Sequence, residues 1–320
     1  MWTMKKSSDG FGTLQEQDLI HIRHHSLFEP GVFQKYPALL DVYTKNGMGM
    51  NCRENMAGLS GHEESLKWPV IKGPGFCGAT NPGAGKSFNG IMTGICRPVY
   101  NSDCLYINPG LRIFAVSDSP GITALSRNLF KEMDRRLSDG SIDDLERIID
   151  ELGRGMGPNE QATLALICFR EKGLNGKDLD AGVFLAGDSS VYKGNVYEEQ
   201  LSRVNGPDHF WGTSHPDFAP ERVSVKEGDF FIIVSDGITA LHQHGCGRGI
   251  EDLLHAYVKK DPENFAFNVT TACNSVRRNS WNGRDKTSLG GFDDITCLLV
   301  FPHQLAEIEH RSYIFGGTPW

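Results

Sequence analysis

Residues 111–118 read LRIFAVSD, a short and almost wholly apolar run that closes on a serine and an aspartate. Apolar runs of this length bounded by turn formers are the mark of a buried β-strand. The pattern recurs as TLALICF at 163–169, GVFLA at 182–186, FFIIVS at 230–235 and ITCLLVF at 295–301. Between these runs, ITALSRNLFKEMDRRL at 122–137, IDDLERIIDELGR at 142–154, IEDLLHAYVKK at 250–260 and ENFAFNVTTACNSVRR at 263–278 place apolar residues at helical spacing. The first two helical stretches follow one another with no strand between them, which disfavours a strictly alternating parallel sheet and predicts a mixed α and β domain.

The composition agrees. The chain has 320 residues, 39% of them hydrophobic and 22% charged, which excludes disorder and gives length enough for a large core without staples. A net charge of −8, with no basic cluster, removes the electrostatic reason to expect nucleic acid as a partner. The longest apolar runs fall far short of the roughly 20 residues a membrane span needs, and MWTMKKSSDG at 1–10 has no apolar signal core. None of the eight cysteines falls in a CxxC, so reduced thiols and a cytoplasmic location are expected. No heptad or exposed apolar stripe points to a particular oligomeric state.

Carboxylates recur at the strand ends. Asp118 follows LRIFAVS, Asp188 follows GVFLAG, Asp236 follows FFIIVS, and Asp293–Asp294 precede ITCLLVF. Any one of them alone is an ordinary turn or N-cap residue. Four such positions, at strand ends that lie close together on one side of a sheet, form a pattern. If they converge, an all-oxygen cluster selects a hard cation, Mg²⁺ or Mn²⁺ rather than zinc, because packed carboxylates repel unless a cation holds them.

The motifs FAVSDSPG, LAGDSSVYKG, GDFFIIVSDGITA and GGFDDITCLLVF, in this order, resemble those of the PPM family of metal-dependent Ser/Thr protein phosphatases, over roughly residues 91–302. The resemblance implies an α+β fold, a four-layer sandwich of two antiparallel β-sheets flanked by α-helices, with two Mn²⁺ or Mg²⁺ ions and a weaker third. Carried over position by position, it implies that Asp118 bridges two metals and that the Ser119 carbonyl is a ligand. Asp236 and Asp293 would complete the first metal's shell, Asp188 would belong to the third site, and Asp103 and Asp294 would support the ligands. Asp118, Asp236 and Asp293 would act through metal-bound water on phosphoserine or phosphothreonine of a protein partner, without a phospho-enzyme. No Cys-x5-Arg loop competes with that expectation.

Departures from the family pattern lie in CRPVYNSDCLYI at 96–107 and in DSPG at 118–121. Ser102 stands where a metal-binding Glu is expected, which removes one negative charge from the second metal's surroundings. Arg97 falls one residue upstream of the family's phosphate-gripping Arg. Pro120 takes a position that holds His in some relatives. The alternative expectation is therefore a catalytically weak or inactive regulatory or binding module on the same fold.

Residues 1–90 read as an N-terminal extension that would supply an edge strand, cover the active site or dock a partner, and residues 303–320 read as a tail. Within the extension, TNPGAGKS at 80–87 comes near the phosphate-cradling P-loop, but Thr80 replaces its first glycine and no helix pattern follows Lys86, so no nucleotide site is expected. His21, His24 and His25 lack Cys or carboxylate partners at ligand spacing and are expected to sit in solvent.

Overall fold

Strand after strand, the apolar runs are buried on both faces, and alternate residues enter different layers. In the strand Asp229–Val234, Phe230, Ile232 and Val234 join one core cluster while Phe231 and Ile233 join another. In Ile113–Ser117, Ile113 and Ala115 face a third cluster and Phe114 and Val116 the shared middle one. A strand covered on both sides has no polar face, which is why these segments read as continuous apolar runs.

The computed structural model describes residues 21–26, 67–81, 100–120, 123–139, 142–172, 178–204, 206, 209–212, 219–239, 249–280, 293–306 and 312–319. Fifteen strands are described: β1 (His21–Ser26), β2 (Lys67–Gly73), β3 (Phe76–Asn81), β4 (Tyr100–Asn108), β5 (Ile113–Ser117), β6 (Gln161–Ala162), β7 (Leu164–Lys172), β8 (Asp178–Ala186), β9 (Ser190–Asn195), β10 (Leu201–Arg203), β11 (Trp211–Gly212), β12 (Glu221–Val225), β13 (Asp229–Val234), β14 (Ile295–Val300) and β15 (Tyr313–Pro319). The first sheet runs β1-β2-β3-β14-β13-β9-β10 and the second β12-β8-β7-β5-β4-β15, with β11-β6 as a small separate pair. The pairings are antiparallel throughout.

The helices are α1 (Leu125–Asp139), α2 (Leu145–Arg154), the single turn α3 (Asp236–Thr239), α4 (Ile250–Lys260) and α5 (Phe265–Ser280). Leu129, Phe130 and Met133 of α1 and Ile148, Ile149 and Leu152 of α2 cover the outer face of the second sheet. Leu254 and Val258 of α4 and Phe265, Val269 and Cys273 of α5 cover the first. Between the sheets, Phe76, Phe114, Phe169 and Phe231 pack in a row of tilted rings with centroids 5.6, 6.2 and 5.4 Å apart. The architecture is the expected α+β sandwich of two antiparallel sheets flanked by helices. Among the described residues, no helix is long and apolar enough to cross a membrane.

The expected boundaries at 90 and 302 do not divide the sheets. β3 pairs along its length with β14, inside the first sheet, and β15 pairs with β4 at the edge of the second. β2 contains Pro69 and β15 contains Gly316 and Gly317, so neither shows the uninterrupted apolar run that marks the central strands. Thr80 lies within β3, paired with Thr296 of β14, and Lys86 lies outside the described residues. His21, His24 and His25 lie on β1, opposite Lys72, Pro69 and Trp68 of β2.

Candidate acidic site at the sheet ends

Four carboxylates reach one place by four routes. Asp118 is the residue after β5, Asp236 opens α3 with only Ser235 between it and β13, Asp294 immediately precedes β14, and Asp103 lies within β4. Asp103 is only 1% exposed and Asp294 is fully buried, while Asp118 and Asp236 are half-buried. Burial, followed by the negative charges of Asp118, Asp294 and Asp236, pushes the Asp103 carboxyl well above the ordinary carboxylate range, against the Ser235 hydroxyl bond, which favours the charged form. Strand ends from both sheets therefore bring these charges within electrostatic reach of one another.

β4 can aim successive side chains at the first sheet because its pairing with β15 slips. Gly316 opposes Cys104 and Thr318 opposes Asn101, so two β4 residues, Ser102 and Asp103, share Gly317 as their counterpart. Such a bulge breaks the alternation of a strand and redirects a side chain. Asn101 Nδ2 donates to Thr80 Oγ1 at 2.8 Å, and Thr80 Oγ1 lies 2.6 Å from Thr296 Oγ1. Ser102 donates from both its backbone N and its Oγ to Asp294 Oδ2, at 2.6 and 2.7 Å. Ser235 Oγ donates to Asp103 Oδ2 at 2.6 Å, while the buried Asp103 Oδ1 accepts no hydrogen bond.

The other expected positions lie around this centre. Thr163 holds the Asp118 turn at both ends: Thr163 Oγ1 accepts from Asp118 N at 2.8 Å, and Thr163 N donates to the Asp118 carbonyl at 2.7 Å. Thr163 Oγ1 also lies 2.6 Å from Ser189 Oγ, which ties the Asp188 turn to the same network, with Asp188 itself exposed. Ser119 is buried and its Oγ accepts from Thr123 Oγ1 at 3.0 Å. Asp293 is half-buried, and its Oδ1 accepts from Asp294 N at 2.8 Å. Arg97 lies outside the described residues. Sequence reasoning missed Ser235, Thr163 and Gly237. Of these only Gly237 left a signal, because the glycine after Asp236 is where the Asp293–Asp294 backbone crosses, and a Cβ there would run into the Asp294 carbonyl oxygen.

Oxygen-only donors, surplus negative charge and a buried carboxylate oxygen without a hydrogen bond fit a hard divalent cation in chemistry. Among the described residues, however, no group of three His, Cys, Asp or Glu side chains is arranged so as to hold a metal ion.

Two helix-flanked antiparallel sheets with an acidic centre at their ends define the class of protein. No family model matches the chain, and no curated protein matches it. Solved structures to which the chain is similar include the SiaA-PP2C domain of Pseudomonas aeruginosa, at 17% identity over 64% of this chain and 82% of that one, with a TM-score of 0.44. They also include the catalytic domain of the serine/threonine protein phosphatase PstP in complex with two manganese ions, at 16% identity over 70% and 96% of the chains, with a TM-score of 0.48. The PPM Ser/Thr phosphatase MsPP from Mycobacterium smegmatis in complex with cacodylate aligns at 17% identity over 70% and 97%, with a TM-score of 0.46. One of these is a PP2C domain and two are Ser/Thr phosphatases, each aligned at 17% identity or less.

Proposed function

We propose that this chain is a metal-dependent phosphatase that hydrolyses phosphoserine or phosphothreonine in a protein partner. The observation that carries the reading is the convergence of Asp103, Asp118, Asp236 and Asp294 from both sheets, at charges that destabilise one another. On this reading Asp118, Asp236, Asp293 and the Ser119 carbonyl would hold Mn²⁺ or Mg²⁺, with Asp188 at a weaker site. Bound there, the ions would supply positive charge for the phosphoryl oxygens and lower the pKa of a water molecule, so that no phospho-enzyme is needed.

The chain's own groups set the stage for that chemistry. Thr163 pins the backbone of Asp118 from both sides, which fixes where its carboxylate starts. Ser102 spends its hydroxyl on Asp294, so the position at which the family places a carboxylate here orients a carboxylate instead. Ser235 does the same for Asp103. Arg97 would be the phosphate-gripping residue on the resemblance alone.

The test is hydrolysis of p-nitrophenyl phosphate and a phosphothreonine peptide with Mn²⁺, Mg²⁺ or EDTA, on wild type, Asp118→Asn and Asp236→Asn. We expect turnover that requires metal and that each substitution lowers by more than the about 10–100-fold that loss of a supporting partner costs. A folded wild type without turnover at millimolar Mn²⁺ would overturn the proposal and favour the regulatory module.

A further inference from the structure

β15 brings two consecutive glycines at positive φ, Gly316 (+81°) and Gly317 (+61°), against the bulged residues of β4. At Gly316 a Cβ would run into the Asp103 carbonyl oxygen, so β15 can lie this close to the acidic residue only without a side chain there. At Gly317 a Cβ would come within 2.6 Å of Arg127 Cβ and 3.1 Å of Arg127 N. Arg127, half-buried in the first turn of α1, donates from Nη1 to the carbonyls of Gly316 at 2.8 Å and Ile314 at 3.2 Å. The same helix is reached from Asp118 through residues 119–124. One guanidinium thus links α1, the helix that follows Asp118 in sequence, to the strand pressed on Asp103.

We infer that Arg127 is a positioning residue for Asp103. It grips the Ile314 and Gly316 carbonyls of β15, and the grip holds the Ser102–Asp103 bulge in the orientation that sends Asp103 towards Ser235 and Ser102 towards Asp294. Bulges leave backbone locally unpaired and are fixed by what packs on them, and here the packing partner is a strand whose carbonyls a charged donor clamps. The functional part of the inference rests on the reading of Asp103 as part of the ion-binding centre. The mechanical part does not.

Arg127→Ala removes the clamp, and Arg127→Lys keeps the charge but replaces the planar fork with a single ammonium. Amide hydrogen exchange of residues 101–105, measured without metal, reports the bulge; Mn²⁺ affinity, read from the free-ion electron paramagnetic resonance signal, reports the centre; kcat and KM complete the set. For Arg127→Ala we expect faster exchange across 101–105, a Mn²⁺ affinity lower by about 10-fold or more, and a fall in kcat at nearly unchanged KM. Arg127→Lys should lie between it and wild type, which keeps the test open if the alanine variant does not fold. Wild-type exchange at 101–105 in a folded Arg127→Ala would overturn the inference. Faster exchange with unchanged Mn²⁺ affinity and kcat would also overturn it, because Arg127 would then be structural only. A wild type that binds no Mn²⁺ would sink the phosphatase reading instead, and the metal-free exchange comparison would still decide whether Arg127 holds Asp103.

Discussion

At Gly237 a methyl group would run into the carbonyl oxygen of Asp294, so the residue after Asp236 must be glycine for the Asp293–Asp294 segment to cross the start of α3. The obstacle is backbone on backbone, which no rotamer change relieves. Gly237→Ala should therefore push Asp294 off its Ser102 partner and lower stability by about 1–3 kcal/mol, the usual cost of overpacking. Urea unfolding checks the stability, and Mn²⁺ titration of the folded fraction checks the displacement; wild-type behaviour in both would show that the crossing gives way easily. A parallel logic applies to Asp103, where burial and like charge favour the neutral acid and the Ser235 hydroxyl favours the anion. The tension between these groups is what a bound cation would relieve.

Among the elements, the β9–β13 pair carries the clearest pH dependence. Asp229 opens β13 and is 3% exposed; burial raises its pKa, but Lys193 Nζ at 2.8 Å, Lys226 N at 2.8 Å and Asn195 Nδ2 at 2.7 Å outweigh burial and hold the carboxyl below its ordinary range. A depressed folded-state pKa means that its stabilisation is full above the unfolded value of about 3.9 and is lost as pH falls through the folded one. Asp229→Asn should accordingly be less stable than wild type at pH 7, with the gap narrowing as urea titrations step down below pH 4. A gap that stays constant would remove the ion pair from the account. The central strands were legible because burial on both faces leaves an uninterrupted apolar run, and the helices because their apolar residues recur on one face. β4, reading YNSDCLYIN, was legible only as a motif, since its bulge and polar residues hide the strand. Asp118, Asp236 and Asp294 could be found from their place beside strong strands, and Asp103 from its motif. Ser235, Thr163 and Arg127 could not, because each acts through a partner dozens to nearly two hundred positions away.

For the whole molecule, the layer between the sheets is the shared resource. Phe114 is fully buried at the centre of the phenylalanine row, within 5.6 Å of Phe76 and 6.2 Å of Phe169 between ring centroids. Phe114→Ala should cost about 3–5 kcal/mol, read as a lower urea midpoint; a loss below about 1 kcal/mol would mean that the layer closes around the cavity. Cys77, Cys104, Cys168, Cys273 and Cys297 are all buried thiols, and burial raises each pKa, that of Cys77 to about 11. Alkylation at these five, located by mass spectrometry, should proceed only as fast as the protein opens, and rapid labelling of any one in native buffer would contradict its burial. The order of strands has a consequence during synthesis. β14 lies between β3 and β13, and the hydroxyls of Thr80 and Thr296 that meet there are 216 positions apart in sequence. At about 5–20 residues per second, a ribosome that has released β3 takes about 10–40 s more to deliver β14. Until β14 arrives, the backbone N–H and C=O groups along that edge of β3 have no partner, β1, β2 and β3 are not joined to β13, β9 and β10, and Asp294 has not yet met Ser102. The acidic centre thus comes into being only after β14 has been made and seated between β3 and β13.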